Sequence, residues 1–133
     1  MHLVGNFFTT FIFVSRVEYT FGPLRTLIIY LLSGIGGNIF SDLINPSNMI
    51  VKAGASTSLF GIIGTILGYL ILNWKGLDVI GKMLKCQLIF LSLIIILFIL
   101  ILTLFNRNID TYGHIGGFII GLFICAIQPT IIN

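Results

Sequence analysis

The chain has 133 residues, of which 57% are hydrophobic and only 8% charged, with a net charge of +3 and a mean hydropathy of +1.13. A soluble domain carries about 25% charged residues, so seven basic and four acidic side chains cannot clothe a water-facing surface of this size, and a soluble globular fold is excluded. No basic patch interleaves with aromatics, so nucleic acid is excluded as a partner.

A bilayer core is about 30 Å thick, and a spanning helix needs about 20 mostly apolar residues. The first apolar stretch, Leu3 to Val14, predicts a helix over 2–15. At about 1.5 Å per residue, roughly 14 residues reach only about 21 Å, which is a partial span. No Lys or Arg precedes this stretch and no A-x-A site follows it, so it does not read as a cleaved signal peptide. Leu27 to Phe40 predicts a second helix over 24–40. Ala55 to Trp74, with glycines inside it, predicts a third over 55–74. Leu88 to Phe105, relieved only by Ser92 and Thr103, predicts a fourth over 87–105, and a fifth follows over 112–128. The expected fold is all-α: a single domain over residues 1–133, a multi-pass membrane helix bundle of about five transmembrane helices embedded in the lipid bilayer.

Orientation follows from where Lys and Arg fall. With the connections taken alternately, one side holds Arg16, Arg25, Lys75, Lys82 and Lys85, and the other holds Lys52 and Arg107. The first side is expected to be cytoplasmic. Ser41, Asp42, Asn45, Pro46, Ser47 and Asn48 read as a turn-rich loop between the second and third helices. Cys86 and Cys125 are far apart and have no metal-ligand spacing, so they read as free thiols in apolar surroundings.

The first, third and fifth segments run in the same direction, so their N-terminal turns lie at similar depth. Those turns hold most of the unusual polar residues. His2 and Asn6 are i, i+4 and share a face. Ser56, Thr57 and Ser58 open the third segment, and His114 stands in the first turn of the fifth. Ionisable groups within spans are costly and are functional candidates by default. Gly64/Gly68 and Gly117/Gly121 have the GxxxG spacing that lets two backbones approach closely. If those faces meet, Ser56 and His114 come within hydrogen-bond reach near the top of the contact. Such a pair suits acyl transfer. A serine hydroxyl is a weak nucleophile until a base takes its proton, and imidazole titrates near neutral pH. The developing oxyanion needs donors placed in advance. His2, Asn6 and the free N–H groups at the start of the third helix can supply them.

These residues carry a resemblance. Gly54-Ala55-Ser56-Thr57-Ser58-Leu59-Phe60-Gly61 resembles the GxSG-type nucleophile motif of the rhomboid intramembrane serine proteases. Asp110-Thr111-Tyr112-Gly113-His114-Ile115-Gly116-Gly117, with Gly121, is similar to that family's histidine motif. His2-Leu3-Val4-Gly5-Asn6 resembles its HxxxN motif, and Glu18, Gly22 and Arg25 followed by Tyr30-Leu31-Leu32-Ser33-Gly34 resemble the segment after it. The resemblance implies a serine-type endopeptidase that cuts transmembrane segments of membrane-protein substrates. In it Ser56 is the nucleophile, His114 the general base, and His2 and Asn6 the oxyanion donors. Gly54, Phe60 and Gly117 support them, Phe60 at the position of an aromatic that packs on the histidine. The mechanism implied needs no metal and no cofactor. Two departures stand out. Thr57 replaces the glycine that usually follows the serine, and its bulk is expected to narrow the cavity beside the nucleophile. The family core has six helices, and this chain opens within the second, as expected of a truncated chain that lacks the first core helix.

Other readings stand beside this one. Taken singly, Ser56 and Ser58 read as helix-start and packing hydroxyls, His114 as an interfacial histidine, and His2 and Asn6 as a frayed terminus. Lys52, four residues before Ser56, has the spacing of a Ser–Lys pair, but a snorkelling interfacial lysine is the preferred reading. Asp110 is i, i+4 to His114 and reads either as a triad carboxylate or as the start of the fifth helix, complementing its dipole. Trp74 and Lys75 read as an interface anchor, and Gly34, Gly36 and Gly37 as close-packing positions. At the level of function, the alternative to a protease is an inactive rhomboid-like pseudoprotease that binds transmembrane clients. A small channel or transporter is disfavoured, because no span carries a charge ring or a mid-depth break.

Overall fold

A computed structural model describes residues 2–46, 55–76, 81–105 and 110–127. The described residues form five helices and no strand: α1 His2–Phe21, α2 Pro23–Ile44, α3 Ala55–Leu72, α4 Lys82–Phe105 and α5 Thr111–Ile127. Two of them, Pro23–Ile44 and Ala55–Leu72, are long and apolar enough on their own to cross a bilayer, and Thr111–Ile127 is a shorter apolar helix.

Three boundaries differ from the apolar runs by four residues or more, each for a physical reason. Helix α1 continues to Phe21 instead of ending at residue 15. Val17 is fully buried, and Phe21 packs edge-on against Tyr69 of α3 with ring centroids 5.2 Å apart, so the helical stripe persists through a polar stretch. Its 20 residues reach about 30 Å, where a partial span was expected. The break comes at Gly22, whose φ of 84° and ψ of 159° form a backbone state essentially reserved for glycine. Pro23 then opens α2, having no N–H to continue the previous helix. The expected loop over 16–23 is thus a one-residue joint. Helix α2 runs past Phe40 to Ile44, because Ser41 is not a loop residue but a fully buried one. Helix α4 starts at Lys82. Lys85 is buried, its ammonium 3.4 Å above the centre of the Trp74 ring and donating to the Trp74 carbonyl at 3.3 Å. The apolar run could not signal that turn, since a lysine holds it. Trp74 therefore pairs with Lys85 as well as suiting an interface.

Helix α3 is the centre of the bundle, with twelve buried residues. It packs most extensively on α5, and α2 closes the third side of this trio, touching both. Val17, Ile29, Ile62, Ile66, Tyr69, Leu70 and Cys125 form the core cluster. In contrast, Leu24, Leu27, Leu31, Ile35, Ile39 and Leu43 along α2 are exposed. An apolar face of that length is unsuited to water and suited to lipid. The α3–α5 contact is made by backbone meeting backbone. Any side chain at Gly121 would run into the Gly61 carbonyl, one at Gly117 into the Thr57 carbonyl, and one at Gly64 into the Phe118 carbonyl. Gly68 faces Cys125. Both GxxxG spacings thus lie in one interface. Thr65 ties it, its hydroxyl shared between Gly61 O at 2.9 Å and Gly121 O at 3.1 Å. Interhelical hydrogen bonds in membranes average about 0.6 kcal/mol. Thr65→Val should therefore lower unfolding stability in bicelles by about 0.6 kcal/mol; a loss several times larger would show that the hydroxyl carries more than this contact.

Candidate active site

The close α3–α5 approach brings two first turns together. Ser56 is the second residue of α3 and His114 the fourth of α5. His114 Nε2 lies 3.0 Å from Ser56 Oγ. The imidazole is stacked on Phe60, one turn further along α3, with centroids 4.3 Å apart and planes 13° from parallel. Ser56 and Phe60 are i, i+4, so one face of α3 presents both groups to the same ring. Ser56 is half-buried, while His114 is 8% exposed.

The 100° step of a helix sends the next two residues elsewhere. Thr57 is 2% exposed. Its methyl meets Gly37 of α2, and its hydroxyl faces Gly113 of α5. The bulk expected to narrow the cavity beside Ser56 is thus taken up at the junction of α2 and α5, where two glycines leave room for it. Ser58 is also buried and faces Gly34 of α2. Of the two serines, only Ser56 meets the histidine.

Asp110 is the cap of α5. Its Oδ1 accepts the Gly113 N–H at 3.0 Å and the Ser41 hydroxyl at 2.6 Å. Its backbone carbonyl accepts the His114 N–H at 3.2 Å, and Oδ2 takes no hydrogen bond. The carboxyl group therefore makes no bond to the imidazole, and of the two readings offered by the sequence the helix start is the one observed. In the sequence Ser41 stands among polar residues that read as loop. Its signal was available, because Ser33, Gly37 and Ser41 recur at i+4 along one small-residue stripe, and all three are buried. Gly117 lies under the Thr57 carbonyl, within the packing that sets the Ser56–His114 distance.

Backbone helix at His2 and Asn6 belongs to α1, but their side chains lie outside the described residues, as do Lys52 and Gly54. Among the described residues no group of His, Cys, Asp and Glu is arranged to hold a metal ion. Both cysteines are free thiols, Cys86 exposed and Cys125 buried.

The fold and site together define a class: a polytopic helical membrane bundle with a serine and a histidine paired at the starts of two closely packed helices. Residues 1–129 match the Rhomboid domain model, and the chain belongs to the rhomboid family, a family of integral membrane proteins. It is 39% identical over 132 residues to RHOMBOID-like protein 6, mitochondrial, of Arabidopsis thaliana, covering 97% of this chain and 40% of that protein. It is 35% identical over 122 residues to Rhomboid-like protease 3 of Toxoplasma gondii, covering 92% and 44%. It is also 34% identical over 119 residues to Inactive RHOMBOID-like protein 8 of Arabidopsis thaliana, covering 89% and 31%. The chain thus spans less than half the length of these curated relatives. No solved structure matches it. The family holds serine proteases of the membrane together with relatives named inactive.

Proposed function

We propose that this chain is a serine-type intramembrane endopeptidase that cuts transmembrane segments of membrane proteins. The observation that carries this reading is the 3.0 Å approach of His114 Nε2 to Ser56 Oγ, with the ring held against Phe60. In the proposed mechanism His114 Nε2 takes the hydroxyl proton as Ser56 Oγ attacks the scissile carbonyl carbon. The tetrahedral intermediate places its negative oxygen near the first turn of α3, whose backbone N–H groups lack intrahelical partners and carry the positive end of the helix dipole. His2 and Asn6 are proposed as further donors to that oxygen. The imidazolium then gives the proton to the leaving amine, leaving an acyl-enzyme ester on Ser56. Water, deprotonated by His114, hydrolyses the ester. No carboxylate is needed where stacking already orients the imidazole.

A fluorophosphonate probe tests the assignment. It should label the chain in proteoliposomes, and Ser56→Ala should remove the label. Labelling that survives Ser56→Ala and vanishes in Ser58→Ala would move the nucleophile. The second reading is an inactive rhomboid that binds transmembrane clients, as the match to a relative named inactive allows. It is favoured if the folded chain never labels and a transmembrane client still co-purifies.

A further inference from the structure

We propose that Ser41 and Asp110 are a positioning pair, whose hydrogen bond between α2 and the start of α5 sets where the His114 imidazole stands against Ser56. The proposal rests on the reading of Ser56 and His114 as nucleophile and base.

The ring of His114 meets Ser56 and Phe60, both on α3. Where that ring stands depends on how the first turn of α5 is held. The backbone-to-backbone contacts of α5 with α3 lie deeper, at Gly117 on Thr57 and Gly121 on Gly61, with the Thr65 hydrogen bond beside them; at the first turn itself it is the Thr57 hydroxyl that faces Gly113. They fix the helix axis, but helix ends fray, and the first turn needs its own support. Asp110 supplies it. Its Oδ1 caps the Gly113 N–H, and the same oxygen accepts the Ser41 hydroxyl. Ser41 is fully buried in the last turn of α2, and its backbone carbonyl is itself engaged by Asn45 N–H. The cap is thus fastened to a third helix. Packing adds to the fastening, because Gly37 lies against the Gly113 carbonyl and Gly116 against Phe40.

The histidine is sensitive to this. Proton transfer needs a heavy-atom separation of about 2.6–3.2 Å, and the observed 3.0 Å sits toward the long end. Outward drift of the α5 turn would break contact, and small misplacements of catalytic groups can cost about 10²-fold. Asp110 performs this role with an acceptor oxygen and not with its charge. Asparagine offers the same Oδ1 and caps a helix as well as aspartate does.

The test measures kcat and KM for cleavage of a transmembrane substrate in proteoliposomes. Ser41→Ala and Asp110→Ala should each lower kcat by about 10- to 100-fold with KM unchanged. Asp110→Asn should retain kcat within a few-fold. The double alanine variant should fall no further than Asp110→Ala, since both remove one interaction. Full kcat in Ser41→Ala, or a change confined to KM, overturns the pair. A loss in Asp110→Asn as deep as in Asp110→Ala overturns it in favour of a charge acting on the imidazole. Ser41→Ala removes one hydroxyl and leaves the cap, so it decides the matter where Asp110→Ala fails to fold. Turnover that survives Ser56→Ala would instead sink the dyad reading. Amide exchange gives a readout free of turnover: Ser41→Ala should speed exchange at Gly113 and His114, and unchanged exchange there overturns the pair.

Discussion

His114→Ala is expected to reduce substrate cleavage by at least about 10²–10⁴-fold, the contribution of a positioned general base, and Ser56→Ala to abolish it by removing the nucleophile. In the proposed mechanism the histidine and serine act on one proton, so the double variant should be no worse than Ser56→Ala. Single-turnover assays with a transmembrane substrate check this. The aromatic contact beneath the imidazole is worth less. Stacked rings contribute about 0.5–1.5 kcal/mol, so Phe60→Leu should slow cleavage by at most about tenfold. Asn6→Ala should cost more than that if its amide holds the oxyanion, since one such donor is worth about 10²–10³ in rate. Cleavage that persists in His114→Ala at the native rate would remove the basis for acyl transfer by this pair.

Gly121→Ala is expected to be the most damaging single-methyl addition in the bundle. The new carbon would fall within the Gly61 carbonyl, so backbone and not a flexible side chain would have to move. Overpacking costs typically about 1–3 kcal/mol and occasionally more, and this site belongs at the upper end. Separation of α3 from α5 also lengthens the path from His114 to Ser56, so fluorophosphonate labelling should fall with stability. Gly117→Leu, pressed against the Thr57 carbonyl, should behave similarly. Gly22→Ala tests a different constraint. Nothing stands near its would-be side chain, yet its φ of 84° strains any other residue, so its cost is set by the backbone alone. A Gly121→Ala variant with unchanged thermal stability in detergent would show that this face does not bear the α3–α5 contact.

The helical class and the membrane setting were legible because both depend on composition and run length, which are local quantities. Ser56 and His114 stood out because their positions at the starts of two parallel segments put them at similar depth, and the glycine spacings indicated which faces could meet; Phe60 was singled out only by the resemblance to the rhomboid motif. The pairing itself was not local. The 3.0 Å approach of Ser56 to His114 joins residues far apart in the chain and exists only because Gly117 and Gly121 let α5 lie against α3. The fate of Thr57 was hidden for the same reason: whether its methyl crowds Ser56 or fills a gap depends on Gly37, a residue of another helix. Ser41 shows the limit most clearly. Polar neighbours made it read as loop, since hydropathy sees only the nearest residues. Its burial and its bond to Asp110 were decided by the packing of α2 across the start of α5. Residue type and spacing state which groups a helix face offers; only the meeting of three helices determines which of those groups touch.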